Sequence, residues 1–294
     1  AQTVTVTGVD DNIIDGTITS TITVSVVDAS SDDNFDAVID QDVSVTTTDN
    51  DTAGFTITQS GGSTAVAETG TTDTFTIVLN AQPDSNVVFT ITSGDTGEAT
   101  VTGTLTFTNA NWDTAQTVTV TGVDDNIIDG TISSTITVAI NDGSSDNNFD
   151  PIDNQTVSVS TTDNDTAGFT ITETGGSTSV SEDGTTDTFT IVLDAQPAEN
   201  VVLTITSGDT GEATVNSPLT FTPANWDTAQ TVTVTGVDDN IIDGTITSTI
   251  TIAVVGAASD DNFDSVNDQT VSATTTDNDT AGFTITETGG STSV

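Results

Sequence analysis

The sequence predicts an all-β protein built from tandem β-sandwich domains. Three observations lead to this fold class: the chain repeats itself at a fixed interval, its apolar residues alternate with polar ones in short runs, and no stretch has a helical period. Clusters of Gly, Asp, Asn and Pro separate the runs, as expected of turns. An alternating run indicates a strand with one face on a core, so each repeat is expected to fold as a small sandwich.

The repeat interval is 114 residues, because residues 112–132 recur unchanged at 226–246 and residues 1–18 match residues 115–132. This interval exceeds the roughly 20–50 residues of a solenoid repeat and fits a whole sandwich domain. We expect residues 1–51 to be the C-terminal part of one repeat, residues 52–165 and 166–279 to be complete repeats, and residues 280–294 to be the first strand of the next. The chain is therefore interpreted as a portion of a longer array.

Each complete repeat contains seven short apolar runs that predict strands. In residues 166–279 these runs contain Phe169 and Ile171; Phe189, Ile191 and Leu193; Val201, Leu203 and Ile205; Leu219 and Phe221; Val232 and Val234; Ile246, Ile250, Ile252 and Val254; and Val271 and Ala273. By the same pattern Phe283 and Ile285 begin a further repeat, and residues 1–51 hold the fifth to seventh strands. Seven strands in this length predict an immunoglobulin-like sandwich, with the repeats arranged head to tail.

The composition is strongly acidic. The 294 residues include 45 Asp and Glu but no Lys, Arg, His or Cys, giving a formal net charge of −45. Without cationic side chains the chain cannot bind nucleic acid or an anionic membrane surface through phosphate contacts, and no disulfide can stabilise it. No apolar run reaches the roughly 20 residues of a membrane span. Ions from solution must balance the charge, which indicates bound metal or a salty medium.

Acidic loops follow the first, third, fifth and seventh predicted strands. When successive strands alternate in direction, every second strand ends at the same end, or pole, of the sandwich. These four loops are therefore expected to converge at one pole. In residues 166–279 the acids are Glu182, Asp209, Asp238, Asp239, Asp243, Asp277 and Asp279; in 52–165 they are Glu68, Asp95, Asp124, Asp125, Asp129, Asp163 and Asp165; and in 1–51 they are Asp10, Asp11, Asp15, Asp49 and Asp51. Glu98 and Glu212 lie in the loops of Asp95 and Asp209.

Such a cluster predicts a calcium site. Clustered carboxylates repel one another, and a hard divalent ion with roughly six to eight oxygen ligands relieves this repulsion; outside cells that ion is usually Ca²⁺. Zn²⁺ and softer metals prefer His or Cys, which the chain lacks. The alternative is that the acidic loops are solvated turns without a ligand.

At these positions the sequence resembles a Calx-β repeat, the module of sodium–calcium exchanger regulatory domains and of many bacterial surface proteins. The resemblance rests on Glu182, on the TFTPANW turn that leads into TVTVTGVDD, and on the closing TTDND followed by AGF. It implies that the seven acids given above for residues 166–279 bind calcium. Asn164 and Asn278 interrupt a terminal cluster that is often three consecutive acids in the family, and Ile241 and Ile242 replace further carboxylates. Both departures imply fewer ions or weaker binding.

The loop between the sixth and seventh strands is also acidic and is expected at the opposite pole. In residues 166–279 it contains Asp260, Asp261 and Asp264 around Phe263, and the preceding repeat has Asp146, Phe149 and Asp150 at equivalent positions. It could supply metal ligands at a junction between repeats, or it could be a solvated loop anchored by a buried Phe. The sequence slightly favours the second interpretation.

The expected function is structural. We expect a secreted bacterial array, extracellular or at the cell surface, that calcium stiffens into a rod, fibre or adhesin stalk, with neighbouring repeats or identical subunits as partners. The alternative is an adhesin whose repeats themselves contact a glycan or a partner surface. An enzyme is not expected, because the paired carboxylates of a glycosidase would not recur in every copy and the Ser and Thr residues have no His partner. The near-identity of the copies favours the structural role.

Overall fold

A computed structural model describes residues 1–290; the last four residues of the expected first strand at 280–294 lie outside this range. The chain forms two compact units. The first comprises Ala1–Asp125 and Thr131–Asp163, and the second comprises Asn126–Gly130 and the chain from Asn164 onward. Within the described range there is no helix whose length and apolar character would suit a bilayer crossing.

The first unit contains an antiparallel strand pair and a sandwich. The pair is formed by β1 (Ile18–Val24) and β2 (Gln41–Thr47). The sandwich contains β3 (Phe55–Gln59), β4 (Thr64–Ala67), β5 (Thr72–Leu79), β6 (Val87–Ser93), β7 (Ala99–Val101), β8 (Thr104–Phe107), β9 (Gln116–Gly122), β10 (Ile132–Ile140) and β11 (Gln155–Thr162). One sheet has the order β3-β5-β9-β7, and the other has the order β4-β11-β10-β6-β8.

The second unit contains a sandwich of the same topology. Its strands are β12 (Phe169–Glu173), β13 (Thr178–Ser181), β14 (Thr186–Leu193), β15 (Val201–Ser207), β16 (Ala213–Val215), β17 (Leu219–Phe221), β18 (Gln230–Gly236), β19 (Ile246–Val254) and β20 (Gln269–Thr276). The sheet orders are β12-β14-β18-β16 and β13-β20-β19-β15-β17. Short 3-10 helices lie in the connections of both units, at Asp28–Ser30, Asp33–Phe35, Ser60–Gly62, Asp142–Ser144, Thr174–Gly176, Gly256–Ala258 and Asp261–Phe263.

The cores lie between the two sheets of each sandwich and follow the predicted alternation. On β14, Phe189, Ile191 and Leu193 are buried while the intervening residues are partly exposed. In the first unit Phe89 packs edge-on against Phe55 and Phe107, with ring centroids 4.9 and 5.7 Å apart. Each fully buried side chain of this size contributes about 1.5–3 kcal/mol to the free energy of unfolding. The strands and the cores built from the predicted residues confirm the all-β prediction.

Each complete sandwich has nine strand segments, two more than the sequence pattern predicts. The predicted first strand is divided into β12 and β13, and Gly175 and Gly176 between them have φ angles of 74° and 84°. This conformation suits glycine and carries the chain from one sheet to the other, where β13 pairs in parallel with β20. The other addition, β16, is a three-residue strand on the edge of its sheet and is too short to show an alternation.

Two predicted strands are not formed. Residues 1–11 lie outside any strand, with Val4 79% exposed, although the sequence predicts the fifth strand of a repeat there. Phe283 and Ile285 are likewise exposed and belong to no strand within the described residues. In the complete sandwiches the corresponding strands pair with β5 or β14. Within residues 1–290, strand β1 pairs only with β2. Neither residues 1–11 nor the segment of Phe283 and Ile285 pairs with a neighbouring strand of a sheet in that range.

Candidate metal centre

The strand ends of the second sandwich bring acidic loops together. Strands β13 and β20 are parallel neighbours, so Glu182 and Asp277, which directly follow them, lie at the same end of the sheet. The Glu182 N–H donates to the Thr276 carbonyl oxygen at 3.2 Å, which fixes the backbone from which the Glu182 side chain projects. Sheet pairing therefore positions the first and last acidic loops of the repeat beside each other.

A glycine brings the third acidic loop to the same place. Gly236 ends β18 so close to β13 that a Cβ there would overlap the Ser181 carbonyl oxygen. The Gly236 N–H also donates to the Thr185 carbonyl oxygen at 3.0 Å. Residues that follow Gly236, including Asp243, can therefore approach Glu182, and Gly122 makes the equivalent close approach to Ala67 in the first unit.

Five acids form two groups that share Glu182. One carboxylate oxygen from each of Glu182, Asp277 and Asp279 lies within 4.8 Å of the others, and the same holds for Glu182, Glu212 and Asp243. Glu182 and Glu212 are only 1% and 6% exposed. Because the chain contains no cationic side chain, these buried carboxylates have no protein charge to balance them.

One buried oxygen in each group has no hydrogen-bond partner. These atoms are Oε2 of Glu212 and Oδ2 of Asp279. A buried oxygen without a partner carries a desolvation cost, so such atoms are rare in folded proteins. A cation between the carboxylates would supply the missing partner, and oxygen-only donors suit a hard divalent ion. The residues present therefore fit a metal ion of this type.

Electrostatics in these groups disfavour full ionisation. Desolvation, followed by repulsion from Asp243 and Glu182, raises the pKa of Glu212, and desolvation with repulsion from Asp277 and Asp238 raises the pKa of Asp279. For Glu182, the N–H bond from Asn278 has the largest effect and lowers the pKa, but desolvation and neighbouring carboxylates together raise it. These three carboxyl groups are therefore strained as anions unless a proton or a cation is bound.

Asp277 behaves differently within the same group. Its carboxylate accepts the Gly244 N–H at 2.9 Å and the Asp279 N–H at 2.6 Å. These backbone hydrogen bonds, the one from Gly244 first, lower the pKa of Asp277. Asp277 therefore stays ionised and also ties the loop after β18 to the end of β20.

The remaining predicted ligands of this repeat lie around the two groups. Asp239 accepts the Ile241 N–H at 2.6 Å, and Asp209 accepts the Gly211 N–H at 3.0 Å, so each closes its own turn. Asp238 accepts the side-chain amide of Asn278 at 3.2 Å, and the same amide donates to Asp183 at 3.2 Å. Asn278, which interrupts the expected run of acids, therefore links two carboxylates.

Glu68, Glu98 and Asp163 of the first unit repeat part of this arrangement. Glu68 is 1% exposed. Its carboxylate approaches carboxylate oxygens of Asp163 and of Glu98 to within 4.8 Å. Asp95 accepts the Gly97 N–H at 3.0 Å, as Asp209 does for Gly211. The other predicted acids, Asp124, Asp125, Asp129 and Asp165, stand 114 residues before Asp238, Asp239, Asp243 and Asp279.

The five predicted acids of residues 1–51 line one cavity. These residues are Asp10, Asp11, Asp15, Asp49 and Asp51. Asp49 accepts the Gly16 N–H at 2.9 Å, as Asp277 accepts Gly244, and the hydrogen bonds from Asp51 and Gly16 lower its pKa. The segment contains no equivalents of Glu182 and Glu212, because the strands that precede those residues in a complete repeat are absent from residues 1–51.

The structure places Glu98 and Glu212 in the carboxylate groups. The sequence indicates the same two loops but favours Asp95 and Asp209 as their ligands. Glu212 immediately precedes the buried Ala213, and its backbone oxygen accepts from Val237 at 2.8 Å and from the Thr275 hydroxyl at 3.3 Å. An acid adjacent to a buried strand residue is the signal that could have identified it.

The loop around Phe263, at the other end of the sandwich, contains an acid whose carboxylate accepts backbone hydrogen bonds. Phe263 is fully buried, as the anchored-loop interpretation expects, but Asp260 is also only 5% exposed. Its Oδ2 accepts from Ala198 and Glu199 at 2.6 and 3.0 Å, and its Oδ1 accepts from Asn262 at 2.9 Å. Desolvation raises the pKa of Asp260, but these three bonds outweigh it and lower the pKa overall.

Comparison with known proteins places the chain among β-sandwich folds. No protein-family model and no curated protein sequence matches the chain. A solved structure of CBD12 from CALX1.2 is similar at 11% identity, covering 67% of this chain and 79% of that one, with a TM-score of 0.27. Domains 4 and 5 of the S-layer protein SbsC are similar at 16% identity, covering 76% of this chain and 99% of that one, with a TM-score of 0.31.

An enzyme also appears among these similar structures. An endo-fucoidan hydrolase of glycoside hydrolase family 107 is similar at 16% identity over 84% of this chain and 33% of that one, with a TM-score of 0.26. These structures are similar to the chain, and the β-sandwich fold itself is established by the strand order and the cores described above. Since the TM-scores are all below 0.5, the case for a metal site depends on the carboxylate geometry described above.

Proposed function

We propose that this chain is an extracellular structural repeat array that Ca²⁺ stabilises, forming part of a rod, fibre or stalk. The observation that carries the proposal is the buried Glu212 carboxylate: its Oε2 has no hydrogen-bond partner, and one of its oxygens lies within 4.8 Å of oxygens of Glu182 and Asp243, in a chain without any cationic side chain. An isolated buried charge is costly, and a bound divalent cation would balance it without protonation of the group.

The donor set supports calcium in preference to smaller or softer ions. Glu182, Glu212 and Asp243 would hold one ion and Glu182, Asp277 and Asp279 a second, with Glu182 bridging them. Ca²⁺ accepts roughly six to eight oxygens in flexible geometry, whereas Mg²⁺ requires a stricter octahedron and dehydrates reluctantly. Backbone oxygens and water would complete the coordination of each ion.

Metal binding would contribute to stability in a fold without other reinforcement. The chain has no Cys, and its only cationic group is the N-terminal amine. An ion that binds only the folded state stabilises it by about 2.7 kcal/mol when its free concentration is 100 times Kd. Each complete sandwich contains two acidic groups, so calcium at extracellular concentrations would raise stability substantially.

A structural role is preferred to a catalytic one because the buried acidic groups recur along the chain. The acidic groups recur in both sandwiches at equivalent positions, and a repeated site that neutralises its own buried charge serves stability in every copy. Neighbouring repeats or identical subunits are the proposed partners, and the bacterial cell surface is the proposed location.

Thermal unfolding of the full chain tests this proposal. After removal of metal by chelation we expect Tm to fall strongly, and Ca²⁺ should restore it at a lower concentration than Mg²⁺ does. K⁺ at matched ionic strength is the control for simple screening of the acidic surface. An unchanged melting curve in chelator, or equal recovery with K⁺, would contradict specific calcium sites.

A further inference from the structure

A three-residue tip, Asn12–Ile14 in the first unit and Asn126–Ile128 in the second, docks onto the sandwich of its unit. In the first unit the Asn12 carbonyl oxygen accepts the Gln82 N–H at 2.7 Å, and Ile13 forms a parallel β-bridge with Gln82. In the second unit Asn126 accepts the Gln196 N–H at 2.7 Å, and Ile127 bridges Gln196 in the same way. The two contacts are 114 residues apart and use the same atoms.

The hydrogen bonds that each sandwich donates to the tip come from uncharged groups. Beside the Gln196 backbone, the Asn262 side-chain amide donates to the Ile128 carbonyl oxygen at 3.2 Å, and Ile128 packs against the core. The equivalent bond from Asn148 to Ile14 is 3.4 Å, and Ile14 packs against the core of the first unit. Amide donors and an apolar surface therefore receive the tip in both units.

The third copy of the tip, Asn240–Ile242, is exposed. It has the same sequence as the other two, but Ile241 and Ile242 are 62% and 57% exposed, whereas Ile127 is 38% exposed and Ile128 is partly buried. Its conformation is already fixed, because Asp239 accepts the Ile241 N–H at 2.6 Å and Asp277 accepts the Gly244 N–H at 2.9 Å. The loop that carries the first tip has the same two bonds, from Ile13 to Asp11 and from Gly16 to Asp49, both at 2.9 Å.

We propose that Asn240–Ile242 is a docking element whose partner is the receiving face of another copy of this repeat. A preformed tip loses little conformational entropy on binding, and two adjacent exposed isoleucines gain by burial. The structure contains this contact twice, with the same backbone acceptor, the same amide donor and the same apolar anchor. The occupant is therefore identified by complementarity with a surface that the chain itself presents.

The inference depends on the tip contacts and not on the identity of the bound ion. It adds to the proposed structural role a specific means by which one repeat recognises the next. Calcium binding and docking can therefore be measured separately, so that failure of one is distinguishable from failure of the other.

A shortened chain, residues 52–294, provides the test. The buried core of the first sandwich extends from Phe55 to Val159, and Ile14 only packs at its edge, so removing residues 1–51 leaves that core whole. The shortened chain has an uncovered receiving face at Gln82 and Asn148 and an exposed tip at Asn240–Ile242. Sedimentation velocity in Ca²⁺ should show concentration-dependent chains of this protein, whereas residues 1–294, in which Asn12–Ile14 cover the face, should remain monomeric.

Two double variants of the shortened chain identify the contact. Ile241→Asp with Ile242→Asp should weaken association by at least about 30-fold, as expected when a buried apolar anchor is lost. Phe283→Asp with Ile285→Asp is the matched control, since it removes two other exposed apolar side chains and should leave association unchanged.

Three results would overturn the inference. They are a shortened chain that stays monomeric while its melting curve shows a folded protein, association that survives the Ile241 and Ile242 substitutions, and association abolished by the Phe283 and Ile285 substitutions. Calorimetric titration with Ca²⁺ on the same samples reports the metal sites independently, so monomeric protein that binds calcium would leave the proposed metal function intact.

Discussion

Two buried carboxylates, Asp260 and Glu212, lie beyond opposite ends of strand β15. Asp260 bonds the loop that precedes the strand, and Glu212 lies in the loop that follows it. They are 5% and 6% exposed, so they are equally removed from water. The pKa of Asp260 is lowered and the pKa of Glu212 is raised. Burial alone therefore does not decide whether a carboxylate stabilises this fold as an anion.

Hydrogen-bond donors account for the difference. Asp260 accepts three backbone N–H groups, whereas Oε2 of Glu212 accepts none, and one Glu212 carboxylate oxygen lies within 4.8 Å of oxygens of Glu182 and Asp243. At one end of the sandwich the protein supplies the hydrogen-bond donors of the anion. At the other end the proposed calcium ion would balance the charge, and this distinguishes a structural acid from a proposed ligand.

The largest effect is expected from Asp260→Ala. Loss of three charge-assisted hydrogen bonds to a buried carboxylate, with their N–H donors left without this partner, should lower the free energy of unfolding by about 3–5 kcal/mol. The loss should be the same in Ca²⁺ and in chelator, because the acid is satisfied by the protein itself. Denaturant unfolding measures it, with the exposed Asp268→Ala as the matched control. A loss seen only in Ca²⁺ would mean that Asp260 is a metal ligand.

Glu212→Gln should have the opposite profile. In chelator the substitution removes a repelled negative charge, so stability should be unchanged or higher. In Ca²⁺ it removes a charged ligand, and affinity for one ion of that repeat should fall at least about tenfold. Calorimetric titration compares it with Asp209→Asn, whose carboxylate closes its own turn. Equal losses from the two variants would indicate diffuse binding of counter-ions.

Mild acidification should change the stability of the metal-free and the calcium-bound protein in opposite directions. The raised pKa values of Glu182, Glu212 and Asp279 mean that the folded metal-free state binds protons more tightly than the unfolded state, so its stability should increase as pH falls towards these values. In Ca²⁺ the same protons compete with the ion, and stability should decrease over that range.

Further acidification should destabilise both forms. Asp260 and Asp277 have lowered pKa values, so their stabilisation is present above the unfolded pKa of about 3.9 and is lost as pH falls through the folded values. The metal-free protein should therefore show a stability maximum in mildly acidic solution. Tm measured against pH on metal-stripped and calcium-loaded protein checks this, and parallel curves would refute it.

The smallest effect is expected from Asn278→Asp. The Asn278 side chain donates to Asp183 and Asp238, so the substitution replaces two favourable contacts with repulsion and should lower stability in chelator by about 1 kcal/mol. In Ca²⁺ an additional carboxylate should increase affinity several-fold. The matching change at Asn164 tests the same idea in residues 52–165. Reduced calcium affinity in both variants would show that the neutral amide is the better neighbour.

The strand pattern of a repeat follows from sequence because alternation is local. Phe189, Ile191 and Leu193 are two residues apart, and such a spacing puts all three on one face of an extended chain whatever surrounds it. The same argument fails for Val4, Phe283 and Ile285, whose residues alternate equally well but form no strand among the described residues. A strand needs hydrogen-bonding neighbours, and local pattern contains no information about whether they exist.

The sequence by itself determined the all-β class, the 114-residue interval, the core residues and the grouping of acidic loops at one end of each sandwich. Only the tertiary structure decided which acid in each loop faces its neighbours: Glu212 in preference to Asp209, with Glu182 shared between two groups. It also decided that Asp260 is satisfied by backbone N–H groups and that Asn126–Ile128 docks on a sandwich. The physical reason is that charge and alternation are properties of residue order, whereas hydrogen-bond partners and burial depend on segments brought together across up to 134 residues.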